Sequence, residues 1–308
     1  MTTRVQKTLV AAVLAAVVAA GGCACPEQHV SLQTLVQEHN ANAAQVPMLW
    51  ARARIELTVA RSGLLVPLAT DGLLLLAKNS NPNVPPGFVL IGRELGHDIF
   101  RIGSSPQEGV YYFWYQFGGS GQAVWGRTAM AGAPGLEAIP LDPYQLLALL
   151  GITELPKDGS RLPAVVMSMC TSPCAYVVSY IDRQPITGNA LFRREAYIDW
   201  TKDQEPLRPY RIDFFSPDGR RTLKSGLKSY RPIEGASTAV MPTDISLSTV
   251  SWPGHPNSPI RSIRFSLSEM TVEDKWDRSS LLFVENLPPG IVDVIQLDKN
   301  ISPPKDSQ

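Results

Sequence analysis

Four cysteines, four histidines and a scatter of carboxylates are the groups in this 308-residue chain that could do chemistry. Asp199, Asp213 and Asp218 could supply a carboxylate pair for glycoside hydrolysis, one acting as acid and the other as base or nucleophile. Acidic residues near turns are far more often solvated. His29, His39, His97 and His255 have no paired spacing, so Cys170 and Cys174 lack the two further ligands that zinc needs. Gly118-Gly119-Ser120-Gly121 has neither the spacing nor the following helix of a nucleophile elbow, and it reads as a hairpin turn. No phosphate-binding loop, dinucleotide fingerprint, two-histidine zinc helix or calcium loop is present. The expectation is a protein that is not an enzyme and takes no cofactor and no metal.

The remaining cysteine chemistry is structural. Export is indicated by Arg4 and Lys7 ahead of the apolar run Leu9 to Ala20, which ends in Gly21 and Gly22 and has the form of a secretory signal peptide. That run is too short to span a hydrocarbon core, which takes about 20 residues at helical rise. In an oxidising compartment Met169-Cys170-Thr171-Ser172-Pro173-Cys174 suits a Cys170–Cys174 disulfide, with free thiols as the alternative. Ala20-Gly21-Gly22-Cys23 resembles the lipobox of bacterial lipoproteins, with Ala20 in place of the usual Leu. The resemblance implies cleavage before Cys23 and lipid on its thiol; ordinary secretory cleavage near 20–24 is the alternative. Cys25 suits the motif less, because the bulky Cys23 stands among its preceding residues. Residues 1–22 are then a lipoprotein signal peptide, 23–30 a lipidated tether, 31–300 one domain and 301–308 a flexible tail. Several acyl chains on Cys23, each methylene worth about 0.8 kcal/mol, would hold the chain on a membrane as an anchored protein. Ala24 after the lipidated cysteine, by the sorting preference that the resemblance carries, implies the outer membrane, facing the periplasm.

The elements that must position any site are short. A formal net charge of zero, with both signs interspersed, gives no footprint for phosphate neutralisation, so nucleic acid is not an expected partner. Twenty-six prolines punctuate the chain too often for long helices. Ser31 to Leu49 carries apolar residues at helical spacing and stops near Pro47; Asp142 and Pro143 open a second, short helix with Leu146, Leu147, Leu149 and Leu150 on one face and Gly151 as its stop. Between and beyond them, runs bounded by Gly, Pro, Asn or Asp read as antiparallel strands, about a dozen in all. In Trp50 to Ala60, Ala51, Ala53, Ile55 and Leu57 share one face, with Arg52, Arg54 and Glu56 on the other. Val110 to Phe117 differs, since it has large apolar residues on both faces and so needs both covered. One reading is simple core. The sharper one is a curved sheet whose concave face, including Ile55, Leu57, Tyr112 and Trp114, houses hydrocarbon chains.

The order of these features resembles the lipoprotein carrier and receptor family of the bacterial Lol pathway, LolA/LolB-like. The residues that carry it are the N-terminal helix, the first run of strands, Leu141-Asp142-Pro143-Tyr144-Gln145-Leu146-Leu147 with Gly151 and Pro156, and then Tyr210-Arg211-Ile212-Asp213-Phe214, Asp218-Gly219 and Met241-Pro242-Thr243-Asp244. The resemblance implies a mainly β fold, a curved antiparallel half-barrel with an N-terminal helix and a short covering helix, binding lipid or lipoprotein acyl chains. It also implies a protruding membrane-contact loop, for which Leu64 and Leu65 are the counterpart unless that segment is plain strand continuation. The competing class is a structural or interaction lipoprotein with a filled β core.

Overall fold

The structure, a computed structural model, describes residues 30–61, 64–79, 84–117, 120–130, 143–155, 165–171, 174–183, 190–199, 208–216, 219–249, 260–273 and 276–299. Cys23, Cys25, Asp142, Asp218 and the expected signal peptide and tail lie outside the described residues.

Helix α1 (Leu32–Ala44) begins where Ser31 Oγ accepts from the Thr34 amide at 3.1 Å. It ends sooner than the spacing predicts. Pro47 disfavours helical backbone before it, and Met48 and Leu49 already belong to the first strand. Fourteen strands form one sheet, against an expectation of about a dozen. They are β1 (Met48–Arg61), β2 (Leu64–Ala77), β3 (Gly87–Glu94), β4 (His97–Ser105), β5 (Val110–Phe117) and β6 (Ser120–Arg127). Helix α2 (Pro143–Leu149) intervenes. Then come β7 (Val166–Thr171), β8 (Cys174–Arg183), β9 (Ala190–Asp199), β10 (Pro209–Phe215), β11 (Arg221–Pro232), β12 (Val240–Thr249), β13 (Ile260–Thr271) and β14 (Ile291–Gln296).

The spatial order is β14-β6-β5-β4-β3-β2-β1-β13-β12-β11-β10-β9-β8-β7, so the sheet is open, with β14 and β7 as its edges. Every pairing is antiparallel except β14 with β6. Two long connections follow from that order. After β6 the chain must travel to the far edge to start β7, and α2 lies on this crossover, against the face that carries Leu74, Leu76, Phe88 and Leu90. After β13, in mid-sheet, it must return to the β6 edge, and the strap 276–290 crosses the opposite face on the way. Each face of the first six strands thus receives its own cover. Two hydrophobic clusters result: a large one on the helix side, running across both halves of the sheet, and a smaller one under the strap.

Candidate functional site

The pleat sorts the side chains. On the helix-covered, concave face, cross-strand rows run Ala51–Leu74–Leu90–Ile102–Phe113 and Ala53–Gly72–Gly92–Phe100–Tyr115. In the second row two glycines face each other. A Cβ on Gly72 would stand 1.9 Å from the carbonyl oxygen of Ile91, and one on Gly92 2.1 Å from the ring of Phe100, so bare backbone here is filled by neighbours. Helix α2 and the turn after it seat Leu146, Leu147, Leu149 and Leu150 on this face, each at most 1% exposed. Around it Leu57, Phe113, Tyr115 and Ile263 are only half-buried and border the concave core.

The four expected lining residues divide. Ile55, opposite Phe265, is fully buried in the concave core, and Leu57 lies two positions further along the same face. Tyr112 and Trp114 point the other way. Both are 0% exposed in the second cluster, where Phe283 of the strap stacks on Tyr112 at 5.0 Å and Tyr112 Oη donates to the Leu281 carbonyl at 3.1 Å. The reason is the period of two: once Phe113 and Tyr115 face the helices, Tyr112 and Trp114 cannot. Trp114 instead borders a cleft of about 670 Å³ between the β4–β5 end of the sheet and residues 285–289.

Leu64 and Leu65 open β2, opposite Arg61 and Ala60, so the segment is strand continuation. Because β2 pairs with β3 only from Asp71 onward, the end of the β1–β2 hairpin overhangs its neighbour, with Pro67 and Leu68 exposed. In the β7–β8 hairpin, Thr171 faces Cys174 and Cys170 faces Ala175. The two cysteines therefore leave the hairpin on opposite faces, and this register does not bring the expected Cys170–Cys174 bridge together. Asp213 is no free catalytic carboxylate. It accepts from Arg211 Nε at 2.8 Å, from Arg211 Nη2 and from Arg221 Nη1 at 3.3 Å. Asp199 lies opposite Ala175 on β8, in a different strand pair.

Beneath α1, the concave face turns polar. Asn40 exchanges two hydrogen bonds with the backbone of Leu155, and Asn42 does the same with Val240, so a helix is stitched to two extended segments. His39 Nε2 lies 2.8 Å from the Thr153 carbonyl. Burial first, and then the charges of Arg194, Arg208 and Lys78, lower the His39 pKa to about 4, so at neutral pH its Nε2–H donates to that carbonyl. Arg194 is 3% exposed and lies over the ring of Tyr180 at 4.0 Å. Arg208, half-buried just before β10, has its Nε enclosed without a hydrogen-bond partner, as are Glu38 Oε2 and Thr153 Oγ1. The readable signal was Arg194, which occupies an inward position in the Arg194–Ala196–Ile198 alternation.

Neither the protein-family models nor the curated proteins give a match to this sequence. Solved structures do. The chain superposes on a putative outer membrane lipoprotein-sorting protein domain from Vibrio parahaemolyticus with a TM-score of 0.50 at 10% identity, over 81% of this chain and 95% of that one. A LolA superfamily protein from Nitrosomonas europaea follows at 0.46, with 14% identity over 82% and 97%, and a DUF1329 family protein from Desulfovibrio piger at 0.48, with 9% identity over 82% and 99%. At these identities the likeness is one of fold alone: the chain shares the open, mainly β architecture of the Vibrio domain.

Proposed function

We propose that this chain binds acyl chains, or another apolar ligand, on the concave face of its half-barrel. It does so as an envelope lipoprotein anchored through Cys23 to the outer membrane and facing the periplasm, with a part in localising lipids or lipoproteins. The observation that carries the reading is the cover of that face: among the described residues no second sheet closes it, and one seven-residue helix on a long crossover, with Leu150 just after it, seats four leucines there beside half-buried Leu57, Phe113, Tyr115 and Ile263. A helix so short has little stability of its own, so its leucines are exchangeable for ligand methylenes at similar free energy per area. The overhanging β1–β2 hairpin, with Leu64 and Leu65 in its second strand, is the candidate membrane contact.

The full seating of Leu146 to Leu150 favours a second reading, an interaction module with a filled core. Displacement of a fluorescent acyl probe by straight-chain alcohols of increasing length separates the two. Acyl binding predicts saturable displacement that tightens about fourfold per methylene until the site is full, from about 0.8 kcal/mol each. Absence of any saturable, length-dependent displacement leaves the module. Anchoring is tested apart from binding: Cys23→Ala releases the protein from membrane fractions, and unchanged fractionation with an unacylated N-terminus rejects the anchor.

A further inference from the structure

We propose that the ligand of the concave face is an amphiphile with an anionic head, a carboxylate or phosphate on an acyl chain, and that Arg208 receives this head beneath α1. The inference rests on the acyl-binding reading and specifies its ligand.

Arg208 is a half-buried cation whose Nε is enclosed on the protein side. Its Nε is enclosed and without a hydrogen-bond partner, and among the described residues no carboxylate forms an ion pair with it. Such a group is costly unless an anion completes it. Glu38 is the acidic neighbour on α1; its Oε2 is itself enclosed without a hydrogen-bond partner, and among the described residues no ion pair joins it to Arg208. Thr153, whose carbonyl meets His39, carries a further enclosed hydroxyl without a partner. Burial pushes the Arg208 pKa down from its ordinary value, as expected of a guanidinium awaiting a counter-charge, though an arginine remains protonated at neutral pH. Arg194 adds a second positive charge nearby, since both arginines act on His39. What makes the ligand an amphiphile is the floor next to these charges: Tyr180, Phe214, Ile198 and Ile212 share the concave face with Arg194 on β8, β9 and β10. A chain laid on that floor brings an anionic head to the guanidinium, which can accept it through two parallel N–H donors.

The test compares laurate, dodecyl phosphate, dodecanol and inorganic phosphate by calorimetry on the purified protein and on Arg208→Gln and Arg208→Lys, each first shown to melt cooperatively. The readout is the ratio of anionic to neutral affinity at equal chain length. The wild type is expected to favour laurate and dodecyl phosphate over dodecanol by about tenfold or more, the usual range for a charge-assisted hydrogen bond. Arg208→Gln brings that ratio close to one, and Arg208→Lys keeps most of it. Binding of dodecanol as tight as laurate in the wild type overturns the anionic head while leaving acyl binding intact. No binding of any twelve-carbon compound overturns the acyl-binding reading itself. Inorganic phosphate bound as tightly as dodecyl phosphate makes this a free-anion site and overturns the amphiphile. If Arg208→Gln does not fold, a wild-type ratio of one still rejects the proposal.

Discussion

The outer faces of the two halves of this sheet are built on opposite principles. Behind β2 to β6 the strap buries Leu281 and Phe283 against Val89, Ile91, Tyr112 and Trp114, and polar anchors fix it: Arg101 Nη1 donates to the Ser280 carbonyl at 3.1 Å, and the Glu108 carboxylate accepts from the amides of Phe283 and Val284. Behind β9 to β11 the same face carries a charged cluster of Arg193, Glu195, Arg211, Asp213 and Arg221, in which Arg193 and Arg221 reach water. Among the described residues one half is three-layered and the other two-layered. A strand with large apolar residues on both faces, such as β5, therefore reports a second layer, and it does not report a ligand cavity.

Trp114→Ala gives the largest effect. Removing a fully buried indole from the strap cluster is expected to cost about 3–5 kcal/mol of unfolding free energy, measured by denaturant titration. Acyl-probe affinity of the folded fraction stays unchanged, because Trp114 lies on the face away from Ile55 and Leu57. A loss of probe affinity without loss of stability would put Trp114 back into the ligand site and erase the distinction between the faces.

Asp213→Asn probes the two-layered half. The carboxylate is 0% exposed, yet both of its arginine partners reach water, Arg211 at 23% and Arg221 at 38% side-chain exposure. Breaking a wholly buried pair costs about 3–5 kcal/mol; here the stranded guanidiniums can resolvate, so about 1–2 kcal/mol is expected. A cost equal to that of Trp114→Ala would show that this half is as tightly sealed as the other.

Much of this was legible in sequence, and the reason for the limit is physical. Most of the strand runs and both helices announce themselves by period, caps and breakers, because those are local properties. The two faces of β1 were equally plain, since Arg52, Arg54 and Glu56 alternate with Ala51, Ala53 and Ile55. On β5 the period of two separates Tyr111, Phe113 and Tyr115 from Tyr112 and Trp114 but does not say which set meets the helices. That phase is fixed by pairing with β4 and by which crossover passes on which side, a long-range matter. The polar site under α1 escaped for the same reason: Glu38, His39, Thr153, Arg194 and Arg208 are up to 170 residues apart. Asn40 and Asn42 were unreadable as well, because their partners Leu155 and Val240 are backbone groups that carry no sequence signal.

His39 gives a smaller effect with a defined pH window. Its pKa is about 4 in the folded chain, against 6.5 for an unperturbed histidine, so the unfolded state binds the extra proton first. Its folded-state penalty is absent above pH 6.5 and grows as pH falls from 6.5 to 4, when an imidazolium must form beside Arg194, Arg208 and Lys78. The melting temperature of the wild type should therefore fall across that window, and His39→Gln, which can still donate to Thr153, should flatten part of the fall. An identical pH profile in the variant would mean that His39 is reached by water and that the concave face under α1 is open, contrary to the burial that sets its pKa.

The smallest effect belongs to the boundary between the halves. Arg52, on the outer face of β1, pairs with Glu269 of β13 at 2.8 Å, with side-chain exposures of 63% and 57%. The strap cluster includes half-buried Trp50 and Leu73 here but does not cover this pair. An ion pair in full solvent gains little over two hydrated charges and gives up side-chain freedom. Arg52→Ala is thus expected to change unfolding free energy by less than about 1 kcal/mol, with that small change vanishing in high salt. A salt-insensitive loss above about 2 kcal/mol would mean that the strap reaches over β1 in solution and packs on the aliphatic stem of Arg52, extending the three-layer half to the centre of the sheet.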